Sequence, residues 1–196
     1  MPTEFDIDQT SGLIHPARQV PSCNCDARPD DALPQLIVLH GISLPPGDYG
    51  GPEIEALFTN KLDWDAHPYF GEIRGIEVSA HLLVRRDGEL VQFVPFQQRA
   101  WHAGESSFRG RERCNDYSIG IELEGDDETA YDDRQYDILP GVLNALLEAY
   151  PSVSAREIAA HSDISPGRKT DPGPAFDWLR LYDGLGTNRI GTRTNS

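Results

Sequence analysis

Cysteine is scarce in this chain of 196 residues: there are three, Cys23, Cys25 and Cys114. An odd, small count builds no disulfide framework and suits free thiols in a reducing compartment. Cys23-Asn24-Cys25 could join His15 around a metal, but no second Cys/His pair stands at finger-like spacing, so the pair reads as small side chains in an N-terminal loop. Positive charge is also short. Lys and Arg total 17 against 32 Asp and Glu, a formal net charge of -15. So acidic a chain repels nucleic acid and anionic lipid, which excludes both as broad partners. No run approaches the roughly 18 apolar residues of a membrane span. The acidic start Met1-Pro2-Thr3-Glu4-Phe5-Asp6 has neither the basic region nor the apolar stretch of a secretory signal. These absences predict a cytoplasmic protein. Repeats and low-complexity blocks are missing too, and the length suits a single domain with a real core.

What is present is a set of short, well-punctuated elements. Leu36-Ile37-Val38-Leu39 is a continuous apolar run, as expected of a buried central strand. Pro52 suits the first position of a helix whose stripe is Ile54, Leu57, Phe58 and Leu62. Val78 to Val84 and Leu90 to Val94 read as strands joined by a tight turn at Asp87-Gly88. Tyr117 to Leu123 alternates, with Tyr117, Ile119, Ile121 and Leu123 on one face and Ser118, Gly120 and Glu122 on the other. A helix starting near Asp132 or Asp133 carries Ile138, Leu139, Val142, Leu143, Leu146 and Leu147, and Pro140-Gly141 should kink or divide it. Ile158-Ala159-Ala160 leads to His161 as a short strand. Pro174 to Leu185 predicts a final helix with Phe176, Leu179 and Tyr182 on one side and Gly184 near its end. Almost without apolar residues, 186–196 reads as a disordered tail. Strands interleaved with helices, one hairpin included, predict an α/β fold: a mixed central β-sheet flanked by helices.

The chemistry gathers at strand ends and in one stiff loop. His40 closes the apolar run, and strand ends are where sites collect in open sheets. His161 is followed, ten residues on, by Asp171 in a loop restricted by Pro166, Pro172 and Pro174. Two imidazoles and a carboxylate suit a three-ligand zinc site, which leaves the fourth position open for catalysis and predicts a hydrolase. The spacing alone leaves ordinary loop residues equally open. Glu122 lies beside Gly120, where a carboxylate could act as general base, or where it could belong to a solvated acidic face with Glu124. Lys169 could stabilise an oxyanion, or sit with Arg168 as a solvent-exposed loop charge.

Strings spread along the chain carry a stronger signal together. Leu39 to Gly47, Ala66 to Phe70, Val78 to His81, Arg99 to Gly104, Gly110 to Asp116, Ile119 to Gly125 and Gly167 to Gly173 resemble the AmpD family of bacterial zinc amidases, related to peptidoglycan recognition proteins. The likeness runs from about Pro21 to Leu185, so residues 1–185 are taken as one amidase domain. The resemblance implies Zn2+ held by His40, His161 and Asp171, with Glu122 as catalytic carboxylate and Lys169 as oxyanion stabiliser. It implies a muropeptide substrate, cut between the lactyl group of (1,6-anhydro-)N-acetylmuramic acid and L-alanine during cell-wall recycling. Trp101, His102 and Tyr69 become residues of the sugar and peptide cleft. His67 and His81 fall back to supporting roles. Arg113 matches a position that binds stem-peptide carboxylates, a task Arg109 and Arg111 could share. A monomer is expected.

The chain departs from the family pattern at Gly41, where members carry Asn, and at Glu77, where some carry a basic residue. Both departures imply altered substrate contacts. An alternative class is a module that binds peptidoglycan fragments without cutting them. Such modules lose a metal ligand, whereas all three are present here. A third reading is an amidase for a related acyl-peptide substrate.

Overall fold

The computed structural model describes residues 4–186; apart from Gly186, the tail predicted over 186–196 lies outside the described residues. Strands of the main sheet are β1 (Arg18–Gln19), β2 (Leu36–Ile42), β3 (Leu82–Val84), β4 (Leu90–Gln92), β5 (Ser118–Glu124) and β6 (Ile158–Ala160). Their spatial order is β6-β2-β5-β3-β4-β1. The first four of that order run parallel, β4 returns antiparallel on β3, and β1 joins parallel to β4. The sheet is therefore mixed. The β3–β4 turn closes as its Asp-Gly dipeptide demands, with Gly88 at φ 84° and its N–H donating to Arg85 O at 3.0 Å.

Helices α1 (Glu53–Phe58) and α2 (Pro68–Glu72) cover one face, α3 (Asp133–Ala149) and α5 (Trp178–Leu185) the other, and α4 (His161–Ile164) follows β6 directly. Under α3 and α5 lie Ile37, Leu39, Ile119, Ile121 and Leu123, packed against Leu139, Val142, Leu143, Leu146, Leu181 and Leu185. Under α1 and α2 lie Leu83 and Val91 with Ile54, Leu57, Phe58 and Phe70. The predicted alternation in β5 holds for its isoleucines. Tyr117 stands apart: it precedes the strand and packs with Cys114 and Leu36.

Three readings of helix detail need correction. Pro140 does not divide α3, which runs unbroken for 17 residues. A capping box starts it, Asp132 accepting from Arg134 N and Gln135 accepting from Asp132 N, and its buried stripe carries it past the missing N–H. The Pro140 ring rests against Gly184, where an added Cβ would lie 2.6 Å from Pro140 Cγ. Gly184 is thus inside α5 as a packing residue, and Gly186, at φ 76°, is the cap. Leu179 is 78% exposed. Helix α5 begins only at Trp178, so Phe176 does not set its phase, and the buried stripe includes Leu181 and Leu185.

Parallel register brings the chemistry together. Glu122 pairs with His40 across β5 and β2, and Ala160 pairs with Leu39 across β6 and β2. His161, the next residue, therefore emerges beside His40 at the carboxyl ends of the strands, where α/β sheets place their sites.

Candidate metal centre and cleft

His40 Nδ1, His161 Nδ1 and Asp171 Oδ2 converge. The two nitrogens are 2.9 Å apart, and the carboxylate oxygen lies 3.3 Å from His40 and 3.0 Å from His161. Among the described residues this is the one group of His, Cys, Asp and Glu able to hold a metal ion. Tetrahedral zinc with bonds of about 2.0–2.1 Å keeps its donors about 3.3 Å apart, so the triangle needs only a slight opening to seat the ion. Cys23, Cys25 and His15 form no such group.

Protonation suits a cation as well. Burial holds His40 down at about 4, despite the opposing pull of Asp171. Burial would raise Asp171, but hydrogen bonds with His161 and His40 hold it well below the usual carboxylate range. A neutral His40 imidazole and an ionised Asp171 carboxylate are the protonation states a divalent ion requires of those two donors. The far nitrogens are also engaged. His161 Nε2–H donates to Ala103 O at 3.2 Å. His40 Nε2 meets His102 Nδ1 at 2.9 Å, and His102 Nε2 meets Ser118 Oγ at 3.0 Å. With protons on each Nε2, the network is satisfied and both Nδ1 lone pairs face inward.

Glu122 is buried beside this triangle, its Oε1 4.0 Å from His40 Nδ1. Its Oε2 is buried without a hydrogen-bond partner. Burial and the Asp171 carboxylate push its pKa well above the ordinary value, against the pull of Lys169. The solvated-face reading is thus excluded. Glu124 is no rival, because its oxygens accept from Gly50 N at 2.6 Å and Arg86 N at 3.0 Å. The space beside Gly120 is filled by His102; a Cβ there would lie 2.4 Å from His102 Cγ.

The triangle opens into a cleft of about 790 Å³, lined among others by His102, Glu122, Tyr69, Ile76, Lys169 and Asp126. Arg113 is not in it. It borders an adjoining recess of about 450 Å³ with Glu105, Glu112 and Arg168, and pairs with Asp116 at 3.0 Å. Arg168 lines both spaces. Trp101 is absent from the lining of either, its backbone tied to Ser79 and its side chain bonded to Asp26. Arg109 pairs with Glu157, and Arg111 lies over the Tyr117 ring. Glu77 is exposed between the cleft residues Ile76 and Val78. His67 caps α2 through Tyr69 N, and His81 is buried behind the site, bonded to Gly120 N. Above Gly41 sits the Tyr131 hydroxyl, 2.3 Å from where a Cβ would be. The support given by Ala103 and Ser118 has no local signature in the sequence; the bare Gly120 on the face of β5 is the one signal for a ring packed on that strand.

Residues 30–174 match the family model described as N-acetylmuramoyl-L-alanine amidase. The chain belongs to that family. Its catalytic class is accordingly N-acetylmuramoyl-L-alanine amidase, a hydrolase. Within the family, the chain is 60% identical over 170 residues to the 1,6-anhydro-N-acetylmuramyl-L-alanine amidase AmpD of Escherichia coli, covering 87% of this chain and 92% of that one. A crystal structure of an AmpD selenomethionine derivative superposes with TM-score 0.88 at 57% identity, over 91% of this chain and 98% of the other. The E. coli amidase AmiD, solved in complex with anhydro-N-acetylmuramic acid-L-Ala-D-γ-Glu-L-Lys, superposes with TM-score 0.55 at 25% identity, over 91% of this chain and 65% of that one. The fold expected of the family, a mixed sheet flanked by helices, is the fold observed.

Proposed function

We propose that the protein is a zinc-dependent amidase that hydrolyses the bond between the lactyl group of 1,6-anhydro-N-acetylmuramic acid and L-alanine in muropeptides, in cell-wall recycling. The observation that carries this reading is the convergence of His40, His161 and Asp171 within 2.9–3.3 Å beside a buried carboxylate with a free oxygen. The donor set fits zinc, held by His40, His161 and Asp171. Bound zinc supplies Lewis acidity to the scissile carbonyl and acidifies water.

The chain's own residues do the rest. Glu122 Oε2 accepts a proton as water attacks and returns it to the L-alanine nitrogen as the amide breaks; a raised pKa suits that double task. Lys169, on the cleft wall, places positive charge near the oxyanion. Tyr69 offers its ring as cleft wall, and His102 backs the donors. Arg113 takes carboxylates further along the stem peptide, since its recess adjoins the cleft through Arg168. Trp101 stands apart from the cleft, its side chain bonded to Asp26.

One chain supplies every donor and the base, so a monomer suffices. Free cysteines suit a cytoplasmic setting, and among the described residues no helix is long and apolar enough to cross a membrane. Mass spectrometry of products from anhydromuramyl-tripeptide tests the reading. Free anhydro-N-acetylmuramic acid and intact tripeptide are expected; cleavage between L-alanine and the second amino acid would contradict it.

A further inference from the structure

Both histidine donors are aimed by two consecutive residues. His40 Nε2 is met by the His102 ring at 2.9 Å, and His161 Nε2 by the Ala103 carbonyl at 3.2 Å. The backbone N–H groups of these same residues share one acceptor, Asn115 Oδ1, at 3.1 and 2.8 Å. Two donors on one atom identify it as the amide oxygen. We propose that the His102–Ala103 dipeptide, pinned by the Asn115 side chain, is the positioning element that fixes both imidazoles for the metal, which makes His102 and Asn115 positioning residues. The proposal rests on the zinc reading above.

An imidazole has a broad torsion about its ring axis. Holding its far N–H selects both tautomer and ring direction, and such outer partners typically govern metal affinity. Here one oxygen sets both partners at once. Independent contacts narrow the dipeptide's freedom further. Ser118 Oγ holds His102 Nε2 at 3.0 Å, and Arg168 donates to Ala103 O at 2.6 Å. Gly120 leaves the space in which the His102 ring lies against β5, since a Cβ there would meet three of its ring atoms within 2.7 Å. Asn115 itself lies in the turn Cys114–Asp116, outside the cleft lining, where its carbonyl accepts from Arg28 at 3.3 Å. Both nitrogens of His102 are engaged and the residue is 8% exposed, which leaves it no polar atom for a sugar. Its place is behind the donors.

The test uses the full chain and reads zinc affinity by chelator competition, the visible spectrum of the cobalt-substituted protein, and thermal unfolding of the metal-free protein. Asn115→Ala and His102→Leu should weaken zinc binding by about 10- to 100-fold and broaden the cobalt spectrum. Asn115→Asp, which keeps an oxygen at the same point, should stay within a few-fold of wild type. Zinc affinity unchanged in Asn115→Ala, with only the unfolding temperature lowered, would overturn the proposal, as would Asn115→Asp binding as weakly as Asn115→Ala. If Asn115→Ala fails to fold, His102→Leu and Asn115→Asp decide by the same criteria. Wild type without stoichiometric zinc would overturn the zinc reading itself, and this proposal with it.

Discussion

Glu122 differs from the acidic residues around it in having a buried oxygen without a partner. Glu122→Gln keeps shape and should keep zinc, yet it cannot accept a proton, so kcat should fall about 10²- to 10⁴-fold. Activity within a few-fold of wild type would move the base elsewhere. The same substitution has an effect on the metal-free fold. Burial raises the Glu122 pKa above its ordinary value of 4.5, so the folded state keeps this proton where the unfolded chain has lost it. Its contribution to stability therefore declines as pH rises above about 4.5. His40, held down at about 4 by burial, works the other way, its neutral form costing stability as pH falls below its ordinary 6.5. The difference between Glu122→Gln and wild type isolates the first effect. Melting of the two metal-free proteins should show the variant gaining stability as pH rises from 4.5 to 8; a constant or shrinking difference would contradict the burial account.

Between elements, the end of β2 and the segment leading into α3 meet over Gly41. The Tyr131 hydroxyl fills the space a side chain there would need and donates to Pro172 O at 2.9 Å, next to Asp171. Gly41→Asn should cost about 1–3 kcal/mol by overpacking. In a Tyr131→Phe background the cost should fall by half or more. Urea unfolding of wild type, both single variants and the double variant measures this, and strict additivity would refute the clash. The departure at Gly41 was legible in the sequence, but its partner, far along the chain, was not. The same limit applies throughout. The β3–β4 turn, the capped start of α3 and the face of β5 are written in local spacing. The phase of α5 was misread because its start lies at Trp178. The contacts of His102 and Ala103 with the donors span 62 and 58 residues, and no local pattern encodes them. The candidate metal donors were legible because motif strings marked them; their register against one another came only with the parallel sheet.

Over the whole molecule, charge opposes an anionic substrate, since the chain carries a formal -15. Local arginines must offset that field, and Arg113 borders the recess that adjoins the cleft through Arg168. Arg113→Ala should raise KM for anhydromuramyl-tripeptide by about 10-fold, the scale of a lost charge-assisted hydrogen bond of roughly 1.5 kcal/mol, and hardly change a substrate ending at L-alanine. Added salt should shrink the tripeptide effect, because Arg113 is exposed. Equal losses on both substrates would assign Arg113 to the fold or the sugar end. The central claim is that one zinc ion at His40, His161 and Asp171 is required for cleavage. Titrating zinc back into chelator-treated protein, with anhydromuramyl-tripeptide cleavage as the readout, tests it most directly. Activity should be lost on chelation, return linearly and saturate at one zinc per chain, with no recovery in His161→Ala. Full cleavage after chelation, or recovery in His161→Ala at one equivalent, would contradict the account.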